Sequence, residues 1–107
     1  MESKTLKRAK KVIVGTVIIK KYGDYNSLRG YFSKEFRDII KSDTIVFDIR
    51  EFKIRLPDID SRKTTSIKSG YFGFVNNIYD PNVVIGKYNI LQKNEDVFVL
   101  KKQHEQV

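Results

Sequence analysis

The chain contains no cysteine. That absence excludes a disulfide framework, a thiolate nucleophile and a cysteine zinc site. Histidine is almost missing as well. His104, near the C-terminal end, stands alone, so a histidine base serving a nucleophile or a histidine metal cluster lacks the residues to build it. Long apolar runs are missing too. The longest, residues 12–19, holds Gly15 and Thr16 and falls far short of the ~20 residues that cross a bilayer as a helix. Lysines flank this run, but Lys20, Lys21 and Tyr22 follow it where a signal peptide would carry small residues for cleavage. The expectation is an intracellular, soluble protein with no membrane partner. No phosphate-cradling loop is present. Gly70 and Gly73 precede no Gly-Lys-Ser/Thr sequence, and Gly30 stands alone. No cofactor is expected.

What the chain does have is 107 residues, 40% hydrophobic and 32% charged. This is enough apolar material for one packed domain, and it rules out a wholly disordered chain. The formal charge is +8, and it is unevenly placed. Residues 1–21 hold Lys4, Lys7, Arg8, Lys10, Lys11, Lys20 and Lys21 against Glu2 alone, a net +6, while residues 22–107 carry 14 cations and 12 anions. The expected organisation is a basic arm over residues 1–10, a single α+β domain over 11–102 and a polar tail over 103–107. A basic arm on a nearly neutral body suits a polyanion, because each cation that neutralises a phosphate releases a counterion. A merely solubilising terminus would have the same composition.

Residues 11–21, KVIVGTVIIKK, are rich in β-branched residues and predict a central strand covered on both faces, with a bulge at Gly15. After a turn over Tyr22–Asn26, Leu28, Tyr31, Phe32, Phe36, Ile39 and Ile40 follow helical spacing. Gly30 weakens the first turn of that helix, so its firm part begins at Ser33, a good cap, with Glu35 in the first turn. Ser42 and Asp43 end it. Ile45, Phe47 and Ile49 alternate with polar residues, as do Phe52, Ile54 and Leu56, with the apolar phase slipping between Ile49 and Phe52. This predicts one bulged strand or a tight bend near Arg50. A turn over Pro57–Arg62, strands over Lys63–Ser69 and Tyr71–Val75 bent at Gly70 and Gly73, and a loop over Asn76–Asn82 follow. A strand over Val83–Gln92 with a bulge at Gly86, a turn over Lys93–Asp96 and a closing strand over Val97–Lys102 complete the reading. The expected fold is α+β: a strongly bent, mainly antiparallel sheet or small β-barrel of five to six strands, with one packed helix after the first strand.

Three constellations could carry chemistry. The segment Ser69–Val75, SGYFGFV, places three aromatic rings near Lys68, and Lys53 and Arg55 share one face of an earlier strand. Rings on a sheet stack bases, and neighbouring cations hold phosphates. Tyr71 is the best candidate for a stacking ring. The segment resembles the aromatic strand of the RNA-recognition motif, but with an extra aromatic between the glycines and a different chain order, so that family is not assigned. Second, Glu51-Phe52-Lys53 with Asp43 or Asp48 upstream is similar to the D…E-x-K pattern of metal-dependent nucleases. That resemblance implies Mg²⁺ on two carboxylates and a lysine orienting water. Third, Ser33–Leu56 is similar to the helix-then-strand half of swapped-hairpin transition-state regulators, over less than a quarter of the chain.

The expected function is therefore nucleic-acid binding, DNA or RNA, without catalysis. It would use Lys4, Lys7, Arg8, Lys10 and Lys11 of the arm, with Lys53, Arg55, Lys68 and Tyr71 on the sheet. The alternatives are a protein-interaction module or regulator docking through a sheet edge, and the Mg²⁺-dependent nuclease. Exposed sheet edges are also compatible with a homodimer.

Overall fold

The structure, a computed structural model, describes residues 12–23, 27–40, 42–57, 64–68, 70–75 and 81–103, with residues 27, 71–75 and 81 described through their backbone. Among the described residues eight strands form one sheet: β1 Val12–Tyr22, β2 Ser27–Phe32, β3 Thr44–Asp48, β4 Lys53–Arg55, β5 Thr64–Ser66, β6 Tyr71–Val75, β7 Gly86–Gln92 and β8 Val97–Lys102. Two short helices interrupt them, α1 (Lys34–Ile39) and α2 (Pro81–Val84). The strand order is β5-β3-β4-β8-β7-β1-β2-β6, and every pairing is antiparallel. Among the described residues no helix is long and apolar enough to cross a membrane.

The two outermost strands, β5 and β6, are consecutive in the chain. A flat sheet would hold them about 34 Å apart, yet the five Cα steps from Ser66 to Tyr71 reach at most about 18 Å. The sheet therefore curls until its edges meet, and β5 contacts β6. The linking residues fasten the curl. The Ile67 amide donates to the Asp43 carbonyl at the start of β3, and the Phe32 amide at the end of β2 donates to the Gly70 carbonyl, each at 2.9 Å. Gly70 has φ +89°, and a Cβ there would lie 3.3 Å from Arg37 Cζ, so the position favours glycine on both counts.

The bent, mainly antiparallel sheet matches the expectation, but the strand count and the helix do not. Residues 27–32 are strand β2, and the packed helix follows the second strand rather than the first. Leu28, Gly30 and Phe32 are buried while Arg29 and Tyr31 are not. That is period 2, and pairing with β1 on one side and β6 on the other fixes it. Only the second half of the expected helix forms. Ser33 caps it, Oγ accepting from the Phe36 amide at 3.4 Å, and the same Oγ accepts from the Thr16 amide at 3.0 Å. That shared oxygen ties α1 to the bulge in β1, where the register shifts between Ile13 and Gly15 as expected. Gly15 faces the helix, and a Cβ there would stand 2.6 Å from Phe36 Cβ and 3.0 Å from the Phe36 amide nitrogen. The helix can approach this closely only over a glycine.

Past the bulge, Val17 and Ile19 are fully buried and Ile18 half-buried, while Val12 and Ile13 are exposed. The expected cover on both faces of β1 is therefore absent there. The residues expected as a strand from Val83 begin instead in α2, and the strand starts at Gly86, which pairs in regular register with Ile19 and carries no bulge. The bend near Arg50 is real. Asp48 Oδ1 accepts from the amides of Arg50 and Glu51 at 3.1 and 3.3 Å, and Phe52 takes φ +52°. The turn over residues 58–62, the loop over 76–80 and His104 lie outside the described residues.

Aromatic rings meet inside the curl. Phe36 contacts Phe32 and Phe98, Phe32 contacts Phe47, and Phe52 stacks on Tyr88. The Tyr88 hydroxyl donates to the Val84 carbonyl at 2.6 Å, and burial pushes its pKa above the ordinary tyrosine value. The neutral phenol is thus favoured by folding. Its contribution is fully present below the unfolded value near 10 and is lost as pH rises through the higher folded value. Tyr88→Phe should cost about 1 kcal/mol at pH 7 by leaving the Val84 carbonyl unpaired. That cost should shrink above about pH 10, and denaturant unfolding of both proteins across pH 7–11 measures it.

Candidate nucleic-acid interface

Alternation along each strand sorts the side chains into an inner and an outer face. Val17, Ile19, Ile54, Tyr88, Ile90, Phe98 and Leu100 point inward and are buried. Residues of opposite parity face outward. The register then fixes which outward residues are neighbours. Lys53 on β4 is opposite Val99 of β8, which is opposite Leu91 of β7. Two residues further along lie Lys101 of β8, Asn89 of β7 and Thr16 of β1. Two more residues on lie Lys87 of β7, Ile18 of β1 and Tyr31 of β2. The next step brings Lys20 of β1 opposite Arg29 of β2, and beyond it stands Tyr22.

Lys53, Lys101, Lys87 and Lys20 thus form a diagonal, each one strand over and two residues along from the last. Strand spacing of ~4.8 Å and a rise of ~3.3 Å per residue place successive members about 8 Å apart. Lys20, Lys87 and Lys101 are exposed, and Lys53 and Arg29 are half-exposed. The strands carrying most of this face are free of acid: β1, β2, β6, β7 and β8 hold six cations and no Asp or Glu. The acidic residues Glu35, Asp38, Asp48, Glu51, Glu95 and Asp96 fall on the helix and the hairpin ends. Lys102 belongs to the opposite parity and is engaged, its Nζ donating to the Val83 carbonyl at 3.0 Å.

One end of the diagonal is aromatic. The Arg29 guanidinium lies over the Tyr22 ring, 3.6 Å from its centroid, and Lys20 Nζ is 5.8 Å from the centre of the Tyr31 ring. Both rings are well exposed, Tyr22 at 52% and Tyr31 at 40%. Partial desolvation pulls the Arg29 pKa down. Hydrogen bonding and attraction to the Tyr31 and Tyr22 oxygens outweigh it, so the net shift is upward and the charge is permanent. Lys20 and Arg29 are like charges directly opposite across a strand pair, an arrangement that costs stability unless something anionic faces it. The two rings partly offset that cost.

The structure distributes the residues expected from sequence as follows. Arg55 and Lys53 share the outward face with Lys101. Lys53 Nζ is 3.5 Å from Glu51, an exposed pair of the kind that contributes little. Lys68 lies away from the diagonal, on the link between β5 and β6, 3.7 Å from Asp43. Tyr71 sits across from Tyr31 in the β2–β6 register. The arm residues Lys4, Lys7, Arg8, Lys10 and Lys11 lie outside the described residues. Lys20, Arg29, Lys87, Lys101, Tyr22 and Tyr31 were not among the expected contacts.

Of the nuclease-like residues, Asp48, Glu51 and Lys53 meet at the β3–β4 turn, with Asp48 opposite Lys53 in register, while Asp43 precedes the far end of β3. Asp43 and Asp48 bracket β3, about 17 Å apart at strand rise. Asp48 closes the β3–β4 turn, while Glu51 faces Lys53. Among the described residues no group of three or more histidine, aspartate or glutamate side chains could hold a metal ion. No protein-family model matches the chain, and neither curated proteins nor solved structures yield a match.

Proposed function

We propose that this protein binds nucleic acid without catalysing a reaction on it, through the outer face of β4, β8, β7, β1 and β2 together with the basic segment before β1. The observation that carries this reading is the diagonal of Lys53, Lys101, Lys87 and Lys20, ending at Arg29, on strands that mostly lack any acid. Regularly spaced cations, of which Lys53 also pairs with Glu51, suit a regularly spaced polyanion, and each phosphate contact releases a counterion. Binding should therefore weaken linearly in log K against log salt. Removing residues 1–11 deletes Lys4, Lys7, Arg8, Lys10 and Lys11. It should flatten the slope by up to about 4 while leaving the fold intact. A binding curve insensitive to salt contradicts the reading, and a slope unchanged by the deletion removes the arm from it.

A protein-interaction module is the second reading, and one observation favours it. Val12, Ile13 and Ile39 are exposed apolar residues, and Ile39 with Val14 lines two neighbouring hollows, one with Ile13 and Glu35 and the other with Leu56, Glu95 and Asp96. Such a module would show no oligonucleotide binding and would copurify with one defined protein in fixed stoichiometry.

A further inference from the structure

We infer that the polyanion is a single strand rather than a duplex, held along the diagonal with its backbone on the cations and its bases at the Tyr22–Tyr31 end; the inference rests on the nucleic-acid reading above.

Three features argue for it. First, the rings. Tyr22 and Tyr31 belong to neighbouring strands on one outward face, four residues apart in register, roughly 13 Å along the strand direction. Each is exposed and backed by a cation, Arg29 against Tyr22 and Lys20 near Tyr31. A base laid on the exposed Tyr22 ring would extend its guanidinium stack to three layers. Bases of a duplex already stack on each other and offer no free face, whereas unpaired bases do. Second, the shape. The diagonal crosses the outer wall of a curled sheet, carried among the described residues by strands rather than by a helix of the kind that enters a duplex groove. A flexible single strand follows such a wall. Third, the spacing. Steps of about 8 Å between successive lysines suit one cation per nucleotide of an extended chain.

Stacking does not distinguish the sugar, so the shared chemistry is an unpaired oligonucleotide, and the test carries a DNA arm and an RNA arm. The full chain is titrated into fluorescently labelled dT12, rU12 and a 12-base-pair DNA duplex at one salt concentration, with anisotropy as the readout. At least one single strand should bind ten-fold or more tightly than the duplex, and the arm that binds identifies the sugar. The double substitution Tyr22→Ala/Tyr31→Ala should weaken single-strand binding at least ten-fold and leave duplex binding unchanged. Tyr22→Phe/Tyr31→Phe, which keeps both rings, should stay within about two-fold of the parent. Equal or tighter duplex binding, or single-strand binding indifferent to ring removal, overturns the single-strand assignment while the nucleic-acid reading stands. Absence of binding to all three probes overturns both. Circular dichroism of each variant confirms that the sheet is retained.

Discussion

Phe36→Ala should remove about 3–5 kcal/mol of folding stability, read as the shift in a denaturant midpoint at constant slope. The residue is fully buried, and it is the main anchor by which the six-residue α1 attaches to the sheet. Its ring stands edge-on to Phe98 at 5.3 Å and stacks on Phe32 at 5.6 Å, so truncation empties a space bordered by β2, β8 and the bulge of β1. The backbone around it cannot settle into the gap. Gly15 already lies against the Phe36 main chain, and Ser33 Oγ holds the helix start to the Thr16 amide. A domain of this size has only about 5–15 kcal/mol in total, so the substitution takes a large share of it and brings the protein near the edge of folding. A loss below about 1 kcal/mol would mean that α1 is a surface attachment rather than the filling of the curl.

Neutralising the outer face should have the opposite profile, with stability kept and binding lost. The variant Lys20→Gln/Arg29→Gln/Lys87→Gln/Lys101→Gln removes four outward cations from strands that carry no acid. Exposed substitutions of this kind usually stay within ±0.5 kcal/mol each, and relieving the Lys20–Arg29 opposition offsets the lost Arg29–Tyr22 stack. For a single strand, four phosphate contacts correspond to about 3 units of log–log salt slope, and near 0.1 M salt to a loss on the order of 10²–10³ in affinity. Three Gln substitutions away from the diagonal, at Lys34, Lys68 and Lys93, should change the slope by less than one unit. If both sets weaken binding equally, the attraction belongs to the net charge of +8 and not to this face.

Much of the fold was legible where local chemistry and tertiary context agree. The β7–β8 hairpin follows from Lys93–Asp96 between two alternating segments, and Asn94 Oδ1 accepts the Asp96 amide there. The start of α1 follows from Ser33, whose side chain serves as the cap. Residues 27–32 misled because Leu28, Tyr31 and Phe32 continue the helical spacing of Phe36, Ile39 and Ile40 across the true boundary. The competing alternation Leu28-Gly30-Phe32 was weak because its middle member is a glycine with no side chain to mark it. The phase slip between Ile49 and Phe52 signalled a bend near Arg50, but did not decide between a turn and a bulged strand. Phe52 adopts a positive φ that a bulky residue avoids, sustained by its ring on Tyr88 and its carbonyl accepting from the Leu100 amide, partners far away in sequence.

The candidate face was legible only in part. Lys53 and Arg55 were recognised from their alternation within one strand. Their alignment with Lys101, Lys87, Lys20 and Arg29 depends on the register of five strands drawn from both ends of the chain, which composition and spacing do not encode. One signal was there to be used: no acid occurs in the segments 12–22, 27–32, 71–75, 86–92 and 97–102. That is an unusual bias in a chain with 13 acidic residues.

The most direct measurement is amide chemical-shift mapping of the isotope-labelled protein titrated with dT12 or rU12 in low salt. Perturbations concentrated on Lys20, Tyr22, Arg29, Tyr31, Lys87 and Lys101, fading as salt is raised, are the predicted result. Perturbations centred on α1, or on the hollows beside Ile13 and Ile39, with the β7–β1–β2 face unmoved, would contradict the assignment of this face as the binding surface.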